Sequence, residues 1–118
     1  MREASEGDSF IVEHALLPVR PGQEAAFEHA LEQAVPIISS MPGFRSLQVS
    51  RGVETPGTYL LVVEWDTLED HTEGFRGSPE YELWRAALHH FYEPFPTIEH
   101  FTPVVESGAD RNEPLDKV

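Results

Sequence analysis

The stretch YLLVVEWDTLEDHTEGFRGSPEYELWRAALHHFYEPFPTIEHF, residues 59–101, holds the segments that decide the fold. Tyr59 to Trp65 is a strand apolar on both faces, with Tyr59, Leu61, Val63 and Trp65 alternating with Leu60 and Val62. Such a strand needs a packed layer on each side. Thr67 to Phe75 reads as a short helical connector. A better marked helix follows, with Ser78 as N-cap, Pro79 at its first position, and Glu80 and Glu82 placed to complement the positive end of the helix dipole. Its apolar stripe is Tyr81, Trp84, Leu88 and Phe91, with Leu83 and Ala87 beside it. EPFP, residues 93–96, ends it, and Thr97 to Val105 closes as a strand.

The chain before residue 59 supplies the other half. Phe10 to Val19 is a strand ended by Pro21 and Gly22, and Gln23 to Met41 is a helix with Phe27, Leu31, Ala34, Val35 and Ile38 on one stripe. Pro36 is expected to kink that helix or begin a second short turn. Pro42-Gly43 stops it, Phe44 to Val53 is a strand, and ETPG at 54–57 is a turn. The order β-α-β-β-α-β predicts an α+β, ferredoxin-like domain. Two helices cover one face of such a sheet. A second copy is the simplest cover for the other, so a homodimer is expected. The domain spans residues 9–105, and the polar segments 1–8 and 106–118 read as disordered tails.

At 118 residues the chain has room for one domain and one core. Its 21 acidic against 8 basic residues give a formal charge of -13. That balance repels polyphosphate backbones and anionic bilayers, so neither nucleic acid nor membrane is an expected partner. The absence of cysteine excludes disulfides, thiolate zinc sites and a cysteine nucleophile, and fits a reducing compartment. With no apolar h-region in MREASEGDSF, a cytoplasmic location is expected.

Several motifs resemble the antibiotic biosynthesis monooxygenase family, whose members are dimeric α+β barrels. They are VRPGQE at 19–24, MPGF at 41–44, VEWD at 63–66, H-x-x-x-F-R-x-S at 71–78, and the WRAALHHFYEPFPTIEHF run at 84–101. The resemblance covers about residues 10–105. It implies the ferredoxin-like fold and a choice among cofactor-free oxygenases of phenols and anthrones, haem-degrading enzymes and quinol oxygenases. The first two types share an asparagine on the first strand. That position falls at Ala15 here, or at His14 if the strand slips by one. The tryptophan and histidine implied for haem degradation fall at or near Phe75 and Arg85, which argues against that chemistry.

The leading expectation is a cofactor-independent monooxygenase acting with O2 on a small aromatic substrate, a phenol, anthrone or quinol. His71, among Glu69, Asp70 and Glu73, is the candidate base, with its basicity raised by those carboxylates. His100 on the last strand is the second catalytic candidate. Trp65, Phe75, Tyr81 and Trp84 are candidates for an apolar pocket, with His14 and Arg85 as polar contributors. Arg76 and Arg85 are rare cations that either hold an anion or pair with Glu69 and Glu82. No metal site is expected: His89, His90 and Glu93 have only weak ligand spacing. Nor is there a phosphate loop or a G-x-S-x-G elbow. Two other readings use the same fold. A non-catalytic, stress-associated or small-molecule-binding dimer requires no titratable group on the cavity wall. An isomerase or cyclase requires two opposed acid–base groups, such as His71 and His100, across one pocket.

Overall fold

The computed structural model describes residues 2–3 and 9–108. Four antiparallel strands form the main sheet: β1 (Ile11–Pro18), β2 (Phe44–Arg51), β3 (Thr58–Trp65) and β4 (Ile98–Phe101). Their order across the sheet is β2-β3-β1-β4. Helices α1 (Glu24–Ser39) and α2 (Pro79–Leu88) are the two crossovers. The fold is ferredoxin-like, as the order of segments predicts. The expected final strand is shorter than Thr97 to Val105. It pairs with β1 only from Ile98 to Phe101, and a two-residue strand, Val105–Glu106, then pairs with Arg2–Glu3. Residues 1, 4–8 and 109–118 of the expected tails lie outside the described residues.

The alternation of β1 decides which side chains enter the core. Glu13, Ala15 and Leu17 point inward with Leu61, Val63 and Trp65 of β3. Phe27, Ala34 and Ile38 of α1, and Trp84 and Leu88 of α2, close over them. Helix α1 runs through Pro36, where the expectation was a kink or a new start. Pro36 sits on the exposed side, where water can take the Glu32 carbonyl left without a donor. The outer face carries Val12, His14, Leu16, Leu60, Val62 and Phe101, with Leu16 56% and Phe101 50% exposed.

One turn positions everything that follows. Gly43 adopts φ +83°, and a Cβ there would run into the Asp70 carboxylate. Its carbonyl accepts from Asp66 N at 2.8 Å. Asp70 in turn accepts from Thr67 N and donates its own N–H to Thr67 Oγ1, at 3.2 and 3.1 Å. This reciprocal pair starts a π-helical turn, Asp70–Phe75, whose inward residues are His71 and Phe75. Ser78 then caps α2, accepting from Tyr81 N at 3.1 Å.

Candidate active site

Between the inner face of the sheet and α2 lies a cavity of about 280 Å³. Glu13 and Leu17 of β1, Leu61 of β3 and Ile98 of β4 form its floor. His71, Phe75 and Arg76 of the π-turn, Tyr81 and Trp84 of α2, and His89, Tyr92, Phe95 and Pro96 complete the wall. Most of this surface is aromatic or aliphatic. Its ionisable members are Glu13, His71, Arg76, His89 and two tyrosines.

Glu13 and His71 are the buried acid and the buried base among the described residues, at 5% and 3% exposure. Oε1 of Glu13 accepts from Trp65 Nε1 at 3.0 Å and lies 3.4 Å from His71 Nε2. The other imidazole nitrogen, Nδ1, lies 2.8 Å from Nε2 of His100. Strand register explains the trio, since Glu13 pairs directly with His100 and both face inward. Trp65 stacks on His71 with ring centres 5.6 Å apart and planes at 20°. The imidazole is thus held from three directions.

Burial pushes the Glu13 carboxyl above its ordinary value, opposed in part by the Trp65 hydrogen bond and by Arg76. Burial first, then Arg76 and His100, lower His71 to about 3. The short Glu13–His71 approach suggests a charged pair, but desolvation disfavours the charged form of each, and the 3.4 Å separation is too long for a strong ionic hydrogen bond. His71 is therefore a neutral imidazole. The expectation that neighbouring carboxylates raise it is reversed, because Asp70 bonds to Thr67 while Glu69 and Glu73 are exposed. His100 is also lowered, by burial and then Arg76.

A neutral His71 has one donor and one acceptor. With Glu13 ionised, Nε2–H points to Glu13 and Nδ1 accepts from His100. With Glu13 protonated, the carboxyl donates to Nε2 and Nδ1–H points to His100. The second arrangement holds one proton more than the first, on Glu13, and turns both imidazoles to their other tautomer. Because Glu13 and His100 touch opposite nitrogens of His71, no single ion meets all three, and no metal-binding cluster of three or more His, Cys, Asp or Glu exists among the described residues.

The structure brings His71, Phe75, Tyr81 and Trp84 to the cavity wall and places other candidates elsewhere. Trp65 is fully buried behind His71 and is not on the wall. His100 touches His71 without itself lining the cavity. His14 lies on the outer face against Phe101, with ring centres 5.5 Å apart. Arg85 is exposed and bound to Glu82 at 2.6 Å, leaving Arg76 as the cation on the wall. His89 reaches the cavity while His90 is exposed, and Glu93 pairs with Arg20 at 2.8 Å. Glu13 was missed. Its signal was available, a lone carboxylate in phase with Ala15, Leu17 and Val19 on a strand that otherwise buries that face.

A model of the antibiotic biosynthesis monooxygenase family matches residues 10–87. The chain belongs to this family. The Bacillus subtilis (strain 168) protein YczJ, itself uncharacterised, is 56% identical over 92 residues, covering 78% of this chain and 97% of YczJ. A Bordetella bronchiseptica structure described as an antibiotic biosynthesis monooxygenase superposes with TM-score 0.76 at 33% identity, covering 79% of this chain and 95% of that one. A mutant form of SnoaB, a cofactor-independent oxygenase from Streptomyces nogalater, has TM-score 0.62 at 17% identity, covering 88% and 98% of the two chains, and shares the fold. No helix among the described residues of this family member is long and apolar enough to cross a membrane.

Proposed function

We propose that this protein is a cofactor-independent monooxygenase that oxidises a small phenolic substrate with O2, and that Glu13 is its base. The observation carrying this reading is a buried carboxylate on the wall of a mostly apolar cavity, fixed by Trp65 and His71. Glu13 is the stronger acceptor of the pair, since burial raises its affinity for a proton and lowers that of His71. His71 aligns the carboxylate, and Glu13 keeps the proton it accepts. The family supports the oxygen chemistry, and the titratable wall speaks against a purely binding role. His71 and His100 lie side by side, so they lack the opposed arrangement that an isomerase would need.

In the proposed reaction Glu13 removes the phenolic proton. The phenolate gives one electron to O2, and the two radicals combine at the ring carbon para to the oxygen. The resulting peroxide anion takes a proton from Glu13. Loss of the ring proton and of hydroxide, together water, leaves a quinone. One oxygen atom enters the product, the other leaves as water, and the substrate supplies all the electrons. The aromatic wall keeps water from the radical pair.

We also propose that the working form is a homodimer. Leu16 and Phe101 are large apolar side chains at 56% and 50% exposure on one sheet face, beside Val12, Leu60 and Val62. A second copy buries that face against its own equivalent. Light scattering is expected to give twice the chain mass, and Leu16→Glu to give the monomer.

Oxygen uptake by metal-stripped protein with naphthols, quinols and anthrones tests the chemistry. Uptake without added cofactor, reduced about 10²–10⁴-fold in Glu13→Gln and less in His71→Ala, is the expected result. Binding of these compounds with no uptake would reject the oxygenase and favour a binding protein.

A further inference from the structure

We propose that Arg76 anchors an anionic group of the bound compound, so that the cavity takes a one- or two-ring hydroxyarene carrying a carboxylate. Five arginines have described side chains: Arg20, Arg45, Arg51, Arg76 and Arg85. Four of them hold a carboxylate, namely Arg20 with Glu93, Arg45 with Asp66, Arg51 with Glu28 and Arg85 with Glu82. Arg76 has no such partner among the described residues, although the chain carries 21 acidic side chains to 8 basic ones. Among these five, Arg76 is the one that combines a guanidinium without an ion pair with a place on the wall of an apolar cavity, which suits it to hold an acid.

The position suits the chemistry. Arg76 follows directly on the π-turn, and its backbone N–H is tied to the His71 carbonyl at 3.1 Å, so its stem is fixed relative to the imidazole. Its charge is felt by Glu13, His71 and His100, each of which it makes less basic. An anion seated on Arg76 offsets that field and makes Glu13 a better proton acceptor only when the cavity is filled. A neutral phenol would leave the field in place. The overall charge of -13 opposes anion approach at long range, but that repulsion is screened beyond about 8 Å in physiological salt, whereas direct contact is not.

Size narrows the class further. A dry cavity of about 150 Å³ takes one benzene ring. The 280 Å³ here fits one or two rings with a short substituent and is tight for three fused rings.

This inference rests on reading the cavity as an aromatic-substrate site but not on oxygen chemistry, so it is tested by anaerobic binding. The probes are 6-hydroxy-2-naphthoate and 2-naphthol, which share a ring system and differ in the carboxylate. Titration calorimetry is expected to show the naphthoate binding at least about tenfold more tightly to the wild type. Arg76→Gln is expected to abolish that preference, bringing the naphthoate to about the affinity that 2-naphthol has for the same variant, and Arg76→Lys to restore part of it. Equal affinity for the two probes, a preference that survives in Arg76→Gln, or failure of both to bind would each overturn the proposal. Oxygen uptake is a separate readout: a carboxylate preference without uptake rejects the oxygenase and keeps the anchor. Arg76 is exposed, and a circular dichroism spectrum unchanged in the variants assigns any loss to the side chain.

Discussion

Trp65 donates its indole N–H to Oε1 of Glu13 at 3.0 Å, joining β3 to β1 across 52 residues of sequence. The register pairs Trp65 with Ile11 and Glu13 with Val63, so the indole reaches one residue pair along the inner face to find the carboxylate. The same indole stacks on His71. One side chain therefore orients both members of the proton-accepting pair before any substrate arrives, which is the preorganisation that efficient proton transfer needs.

Replacing Trp65 by Phe keeps most of the ring volume and removes the donor. The buried carboxylate loses a hydrogen bond, which costs about 1–3 kcal/mol by urea unfolding. The lost bond is also one that holds the Glu13 pKa down, so the carboxylate ionises at higher pH in the variant. The acid limb of the pH–rate profile should therefore move upward. An unchanged limb alongside a loss of stability would mean that Glu13 is not the base.

Glu13→Gln separates the carboxyl from its shape. In the native protein Glu13 ionises above its ordinary value of 4.5 because of burial. From 4.5 up to the folded value, the native state holds more protons than the unfolded chain. Stability from this group is present at low pH and is lost as pH rises through the folded value. The amide carries no such dependence. Unfolding titrations from about pH 4.5 to 8 are expected to show the variant gaining on the wild type with rising pH, while oxygen uptake stays lost throughout. A constant difference between the two proteins would show that Glu13 ionises normally.

His71 has the opposite sign. Its folded value of about 3 lies below the ordinary 6.5, because burial disfavours the imidazolium. As pH falls below 6.5, the unfolded chain takes up a proton that the native state refuses, so stability is full above 6.5 and is lost on the way down toward 3. At pH 5 that loss is about 2 kcal/mol. His71→Gln removes the titrating ring, so its own decline in unfolding free energy between about pH 7 and 5 should be smaller than the wild type's by that amount. An equal decline in both proteins would place the acid sensitivity elsewhere.

The elements were legible where local rules act alone. Ser78, Pro79 and the stripe of Tyr81, Trp84 and Leu88 mark α2 without reference to any other segment, and the capping bond from Tyr81 N is there. The two-faced apolar pattern of residues 59–65 likewise marks the central strand. The site was legible only in part. His71 and His100 both stand out as histidines, but their 2.8 Å contact depends on Glu13 lying opposite His100, a register that no local pattern contains. The asparagine position implied by the family resemblance falls at 15 or 14 and so passes over Glu13. The phase of Ala15 and Leu17 already put a carboxylate on the buried face. Arg85 and Arg76 look equivalent in sequence. Only the fold shows that Arg85 meets Glu82 three residues away while Arg76 turns to the cavity.

Gly43 links the start of β2 to the site by a longer route. Its φ of +83° is one that an L side chain adopts only at a cost of about 1–2 kcal/mol. A methyl group there also meets the Asp70 carboxylate, which holds Thr67 N and so begins the π-turn carrying His71. Gly43→Ala is therefore expected to cost more than backbone strain alone, about 2–4 kcal/mol in all. Moving Asp70 shifts His71 relative to Glu13, so uptake should fall in protein that is still folded at about 25 °C. Gly22 provides the control. It has φ +84°, but a Cβ there meets nothing within 4 Å. Gly22→Ala should show the strain cost with activity retained. Equal effects on activity at the two glycines would mean that the Asp70 contact does not position His71.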